Sequence, residues 1–169
     1  MLYWEIVPKY NPDGKLMPEM ILVCNALRND LISPNEFIRG CMLRFICKLK
    51  EPELLEPLIP SIKQALEHRH SYVRRNAALA IFSIHRAFGE QLLPDGSELM
   101  EKFIAQETDM AARRNAFLML FNEAEHLAIE FLADHMEEIS KYGDGFALLV
   151  LELTRKTCRR GNPFRLVKM

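Results

Sequence analysis

The chain has 169 residues, 49% of them hydrophobic and 27% charged, an ordinary globular composition and about one domain's worth of sequence. Its 22 basic and 23 acidic residues leave a net charge of −1, which argues against nucleic-acid binding as the main task, since that rests on a strong positive field. No apolar run approaches the roughly 18 residues of a membrane span. The start, Met1-Leu-Tyr-Trp-Glu-Ile, lacks the basic opening and long apolar stretch of a signal peptide, so the sequence reads as soluble, with membranes met only through partners.

Taken in chain order, the predicted elements are helical almost throughout, broken where Gly, Pro and Asn/Asp cluster. Asn11-Pro-Asp-Gly14 predicts a turn after an apolar lead-in containing Tyr3 and Trp4. A helix follows from about Pro18 to about Asn29. Ser33-Pro34-Asn35-Glu36 reads as a capping box with proline at the first helical position. The helix behind it carries Phe37, Ile38, Cys41, Met42, Phe45, Ile46 and Leu49 at helical spacing. From Glu53 a second hairpin begins, buried through Leu54, Leu55, Leu58, Ile59, Ile62 and Leu66 and interrupted by Pro57 and Pro60. Its second helix runs from Ser71 to about Phe88, with Val73, Ala77, Ala80, Ile81 and Ile84 facing inward. After an irregular stretch from Gly89 to Gly96, Ser97 is expected to cap a third hairpin, whose second helix starts near Asp109. A fourth uses Leu127, Ile129, Phe131 and Leu132, breaks at Tyr142-Gly143-Asp144-Gly145, and ends in an apolar helix from Phe146 to about Lys156. The resulting fold class is all-α, an α-solenoid of about four hairpins forming one segment over residues 1–169, with units near 18–50, 53–88, 97–121 and 124–158 and a divergent tail 159–169.

Three stretches are versions of one another: Asn35-x2-Ile38-Arg39-x2-Met42, His70-x2-Val73-Arg74-x2-Ala77 and Asp109-x2-Ala112-Arg113-x2-Ala116. They start 35 and 39 residues apart, and a weaker copy at Asp144 follows after another 35. A period of this length predicts stacked helical hairpins, each burying its apolar face against its neighbours. Such a stack favours scaffolding over chemistry. The first position of each copy can cap the second helix of its hairpin, which gives Asn35 and Asp109, with His70 a weaker member of the series; Ser33, Ser71 and Ser97 are further expected caps. Arg39, Arg74 and Arg113 recur one residue after the apolar position and are expected to form a ladder, each pairing with an acidic cap or loop carbonyl of the neighbouring unit. The competing reading of these arginines is a site for an acidic or phosphorylated ligand.

Other chemistry finds little support. His68-Arg-His70 offers one short-spaced pair with His85, His126 or a cysteine in reserve, whereas tetrahedral zinc wants two such pairs. These read as exposed turn histidines. Glu123, Glu125 and His126 come with no nucleophile motif, and no glycine-rich phosphate loop exists. No catalytic residue, cofactor site or metal site is expected. Arg74-Arg75, Arg113-Arg114 and Arg159-Arg160 could face lipid or RNA, but on a near-neutral chain they read as helix-end and ladder residues. Four cysteines without a CxxC pair point to a reduced, cytosolic setting.

The proline-interrupted first helix followed by D-x-x-V-R-x-x-A resembles HEAT repeats. Longer strings are similar, in order from about residue 3 to about residue 157, to the coatomer beta-subunit family: Tyr3-Trp-Glu-Ile-Val-Pro-Lys9, Pro34-Asn-Glu-Phe-Ile-Arg-Gly40, Leu43-Arg-Phe-Ile-Cys-Lys-Leu-Lys-Glu51, Leu54-Leu-Glu-Pro-Leu58, Leu66-Glu-His-Arg-His-Ser-Tyr-Val-Arg-Arg-Asn-Ala77 and Arg114-Asn-Ala-Phe117. That resemblance implies a non-enzymatic scaffold of the COPI vesicle coat, cytoplasmic and peripheral on Golgi membranes. It implies delta, then gamma and zeta, coatomer subunits as partners, recruitment by a GTP-bound Arf-family GTPase, and a role in Golgi-to-ER and intra-Golgi transport. A generic HEAT-repeat adaptor of the clathrin-adaptor or transport-receptor type is the alternative. Because the family's solenoid is several-fold longer, the chain reads as an internal slice or truncated product. Its end, Arg159 to Met169, leaves the repeat pattern, and exposed, sticky ends are expected.

Overall fold

A computed structural model describes residues 3–159, which divide after Pro94 into two compact units. Arg160 and the rest of the divergent tail lie outside the described residues.

The first unit opens on a lead-in that folds back at Asn11–Gly14, where Gly14 takes φ +75°, and Tyr10 pairs with Leu16 in an isolated antiparallel bridge. Trp4 meets Phe45 edge to face at 5.5 Å. The Lys9 ammonium lies 4.8 Å from the centre of the Trp4 ring and 3.1 Å from the buried Glu51 carboxylate. These contacts fasten the lead-in onto the helices behind it.

Helix α1 (Met20–Leu31) buries Met20, Leu27 and Leu31 along one stripe and leaves Ile21 and Leu22 exposed. Helix α2 (Glu36–Ile46) returns beside it to complete the first hairpin. In the second hairpin Pro57 and Pro60 interrupt the helix as expected, and they and Pro52 each sit in the first two positions of a short segment, because a residue without N–H fits only there. The outcome is α3 (Pro52–Leu55), a 3-10 turn, α4 (Ile59–Gln64) and another 3-10 turn ending at Glu67, together burying Leu54, Leu55, Leu58, Ile59, Ile62, Ala65 and Leu66. Helix α5 (Ser71–Phe88) turns Val73, Ala77, Ala80, Ile81 and Ile84 inward and stops at Gly89, whose φ of +59° few other residues adopt. Packing of α5 against α2, and of α1 against α3 and α4, stacks one hairpin on the next.

The second unit contains α6 (Gly96–Gln106), α7 (Met110–Glu123), α8 (Glu125–Asp134) and α9 (Asp144–Arg159). Met100 and Ile104 of α6 face Ala112, Ala116 and Phe117 of the antiparallel α7, all fully buried. Phe117 also anchors the next hairpin, with ring centres 4.7 Å from Phe146 and 6.2 Å from Phe131. Helix α9 buries Phe146, Leu153 and Thr157, while Leu148 and Leu151 stay about two-thirds exposed at 66% and 64%. Its apolar residues thus belong to two faces, one covered and one open. Each unit is an all-α pair of stacked hairpins, the construction of a HEAT-like solenoid segment.

Candidate functional site

The recurrent polar residues of the repeat gather at the turns that join the two helices of a hairpin. At the first turn, Asn35 is extended and its Oδ1 accepts from the Phe37 and Ile38 N–H groups at 2.9 and 3.4 Å, closing the free end of α2. Ser33 does not cap. Its Oγ accepts from the Asn35 N–H at 3.2 Å, so it orients the cap residue instead, and Pro34 lies ahead of the helix rather than at its first position.

At the second turn the cap is His70, whose Nδ1 accepts from the Tyr72 N–H at 3.2 Å. Ser71, the expected cap, is the first helical residue, because the extended φ/ψ that defines a cap falls at His70 (−92°, 122°). At the third hairpin the helix begins one residue earlier than Ser97, at Gly96. The N-cap position there belongs to Asp95, so Ser97 sits inside the first turn. Asp109 accepts through Oδ1 from the Ala112 N–H at 2.9 Å. Just before it, the buried Glu107 carboxylate accepts from the N–H groups of Thr108 and Asp109, both at 2.8 Å. Sequence reasoning passed over Glu107 because an isolated glutamate ahead of a cap carries no motif.

The three arginines share one geometry, though not the one the ladder reading expects. Each reaches six residues back, to a carbonyl of the turn that precedes its own helix. Arg39 donates through Nε to the Ser33 carbonyl and through Nη2 to that of Ile32, the latter at 2.9 Å. Nη1 of Arg74 donates to the carbonyls of His68 and Arg69, both at 2.9 Å. Arg113 Nη2 donates to the Glu107 carbonyl. The carbonyls therefore belong to the same hairpin, not the neighbouring one. A guanidinium one turn into the second helix points back towards that helix's N-terminus, where its own turn lies. Arg113 also makes contact with the following hairpin, its guanidinium 4.5 Å from the centre of the Tyr142 ring. Burial raises the Tyr142 hydroxyl above its usual range, against the opposing pull of Arg113.

The other candidates are absorbed into packing. Glu125 accepts from Thr157 Oγ1 at 3.3 Å and lies 3.9 Å from Lys156, tying α8 to α9. Arg114 Nε donates to the Gly145 carbonyl at 3.3 Å. Burial raises the Cys47 thiol above its normal range, and Cys47 donates to the Leu43 carbonyl, so this sulfur is a poor nucleophile. Among the described residues no cluster of His, Cys, Asp and Glu could hold a metal ion, and no helix is long and apolar enough to cross a membrane. Chemically, the turn edges are built for holding backbone, with guanidiniums and caps spent on carbonyls and amides.

Comparison with known proteins adds a family. The sequence matches the family described as Adaptin N terminal region over residues 1–166. It is similar to Coatomer subunit beta of Drosophila melanogaster, with 54% identity over 163 residues, covering 96% of this chain and 17% of that protein. The Sus scrofa protein of the same name is 53% identical over the same shares. That of Dictyostelium discoideum is 52% identical over 159 residues, 94% of this chain and 17% of its own length. The chain thus spans 17% of the length of these curated relatives.

Proposed function

Because the chain belongs to the Adaptin N terminal region family and is a homologue of Coatomer subunit beta, we propose that it serves as a non-enzymatic scaffold segment of the COPI coat. The observation that carries this reading is the identity of about half, sustained in register over nearly the whole chain. The hairpin stack suits such work: its buried side chains hold helices in fixed order, and its exposed faces remain for neighbours. In this reading the partners are other coatomer subunits, delta first and then gamma and zeta, with an Arf-family GTPase in its GTP form bringing the coat to Golgi membranes. The process served is Golgi-to-ER and intra-Golgi transport, and the chain works from the cytoplasm without crossing the bilayer.

A generic adaptor of the clathrin-adaptor or transport-receptor type is the second reading, favoured by the breadth of the adaptin family match. Tagging the chain in its own cell and identifying the proteins that co-purify separates the two. Recovery of delta and other coatomer subunits is expected. Recovery of clathrin-adaptor chains or transport cargo without coatomer would transfer the function to the alternative.

A further inference from the structure

The histidine pair that zinc chemistry leaves unused has its own geometry. His68 Nδ1 accepts from the His70 N–H at 3.0 Å, and His70 Nδ1 accepts in turn from the Tyr72 N–H at 3.2 Å. A ring nitrogen that accepts carries no proton, so both imidazoles are neutral here, protonated on Nε2 only. Two backbone N–H groups at the entry to α5, those of His70 and Tyr72, are therefore held by titratable rings, whereas Asn35 does the same work on α2 with an amide that never titrates.

The surroundings oppose a second proton on His68. Arg39 of α2 and Arg69 of the turn both act on His68, as does His70. From α5, Arg74 lies against the His68 carbonyl at 2.9 Å. Beside His70, Phe37 of α2 has its ring centre 6.4 Å away, and Tyr72 of α5 lies tilted against Phe37 at 5.7 Å. Glu67, exposed, is the carboxylate of the turn itself. Burial first, then the positive charge of Arg39, holds His68 below the usual imidazole value of 6.5.

We propose that the turn from Glu67 to His70 is a proton-sensitive latch on the first turn of α5. Protonation of His68 and His70 converts two acceptors into donors facing N–H groups and adds positive charge among Arg39, Arg69 and Arg74. The first turn of α5 then unfastens, and with it the seat of Tyr72 against α2. The sign follows from the depressed value. Stability is complete above the unfolded histidine value, near pH 6.5, and is lost as pH falls through the lower folded value of His68.

The test is amide hydrogen exchange on the full chain at pH 7.5 and 5.5, corrected for intrinsic exchange, with ring-nitrogen chemical shifts followed in parallel. Protection at Tyr72, Val73 and Arg74 should fall about tenfold at the lower pH, in step with ring protonation, while Phe37 behind Asn35 and Ile81 in mid-helix keep theirs. The double variant His68→Asn/His70→Asn, whose side-chain oxygens accept at either pH, should hold protection flat. Unchanged protection with protonated rings, or a variant that loses protection as the natural chain does, would overturn the latch. If the variant fails to fold, the natural chain decides alone: exchange tracking the ring titration supports the proposal, and loss of protection before the rings titrate sinks it.

Discussion

A guanidinium that sits one turn inside a helix and bonds the turn before it closes a loop of its own hairpin. Arg39 shows the strongest form, with two nitrogens on two consecutive carbonyls, Ser33 and Ile32. Charge-assisted bonds of this kind contribute about 1–2 kcal/mol once the loss of solvation is counted. Arg39→Ala is accordingly expected to destabilise the chain by about 1–2 kcal/mol in urea unfolding. Arg39→Lys should recover less than half of that, because an ammonium lacks the planar fork by which Nε and Nη2 each meet their own carbonyl. Equal stability of the lysine variant and the natural chain would show that charge alone matters. What the sequence disclosed at this scale was the recurrence of arginine; it did not disclose the direction of the side chain. Likewise Ser71 and Ser97 have the chemistry of caps but not the position. Which residue turns extended is decided by how the preceding segment arrives, and the 3-10 turn ending at Glu67 hands that place to His70.

Between elements, α2 approaches α5 closely at Gly40. A β-carbon built there would stand 2.2 Å from Tyr72 Cε1 and 2.7 Å from Cδ1, so the ring occupies space that only glycine leaves open. Alanine is the better helix former by about 1 kcal/mol, yet the overlap should dominate. Gly40→Ala is expected to cost about 2 kcal/mol net as the helices part or the ring turns away from Phe37. Adding Tyr72→Ala should return most of the overlap penalty, a coupling that a double-mutant cycle measures directly. Additive losses would place the strain elsewhere. The sequence made the helices legible through apolar spacing, and the proline breaks at Pro57 and Pro60 through missing N–H groups. It left Gly40 unread, since a glycine inside a helical stripe looks like a weakness until the partner ring is seen. Helix α9 shows the same limit: its leucines announce burial, but only a neighbour decides which of them, and Leu153 is covered while Leu148 and Leu151 are not.

For the molecule as a whole, the period of the repeats foretold hairpins but not that the described residues cluster into two units dividing after Pro94. Long-range ties inside the first unit set Trp4 on Phe45, Lys9 on Glu51, Arg28 Nη2 on the Pro57 carbonyl at 3.3 Å, and Tyr72 beside Phe37. Its core, from Leu43 and Ile46 through Leu54, Leu55, Leu58 and Ile62 to Ile81 and Ile84, is essentially free of solvent. A chain ending at Pro94 is therefore predicted to fold by itself. The single tryptophan of the sequence, Trp4, reports on this unit alone, because it rests between Phe45 and Lys9. The fragment should reproduce the Trp4 emission of the full chain and lose it in one cooperative transition, together with its far-UV helical signal. Repeat arrays lose stability gradually as neighbours are removed, so a lower midpoint with an unchanged folded-state emission agrees with the prediction. A non-cooperative transition, or Trp4 emission at the wavelength of free solvent before heating, would mean that the core of residues 3–94 needs the second unit to form.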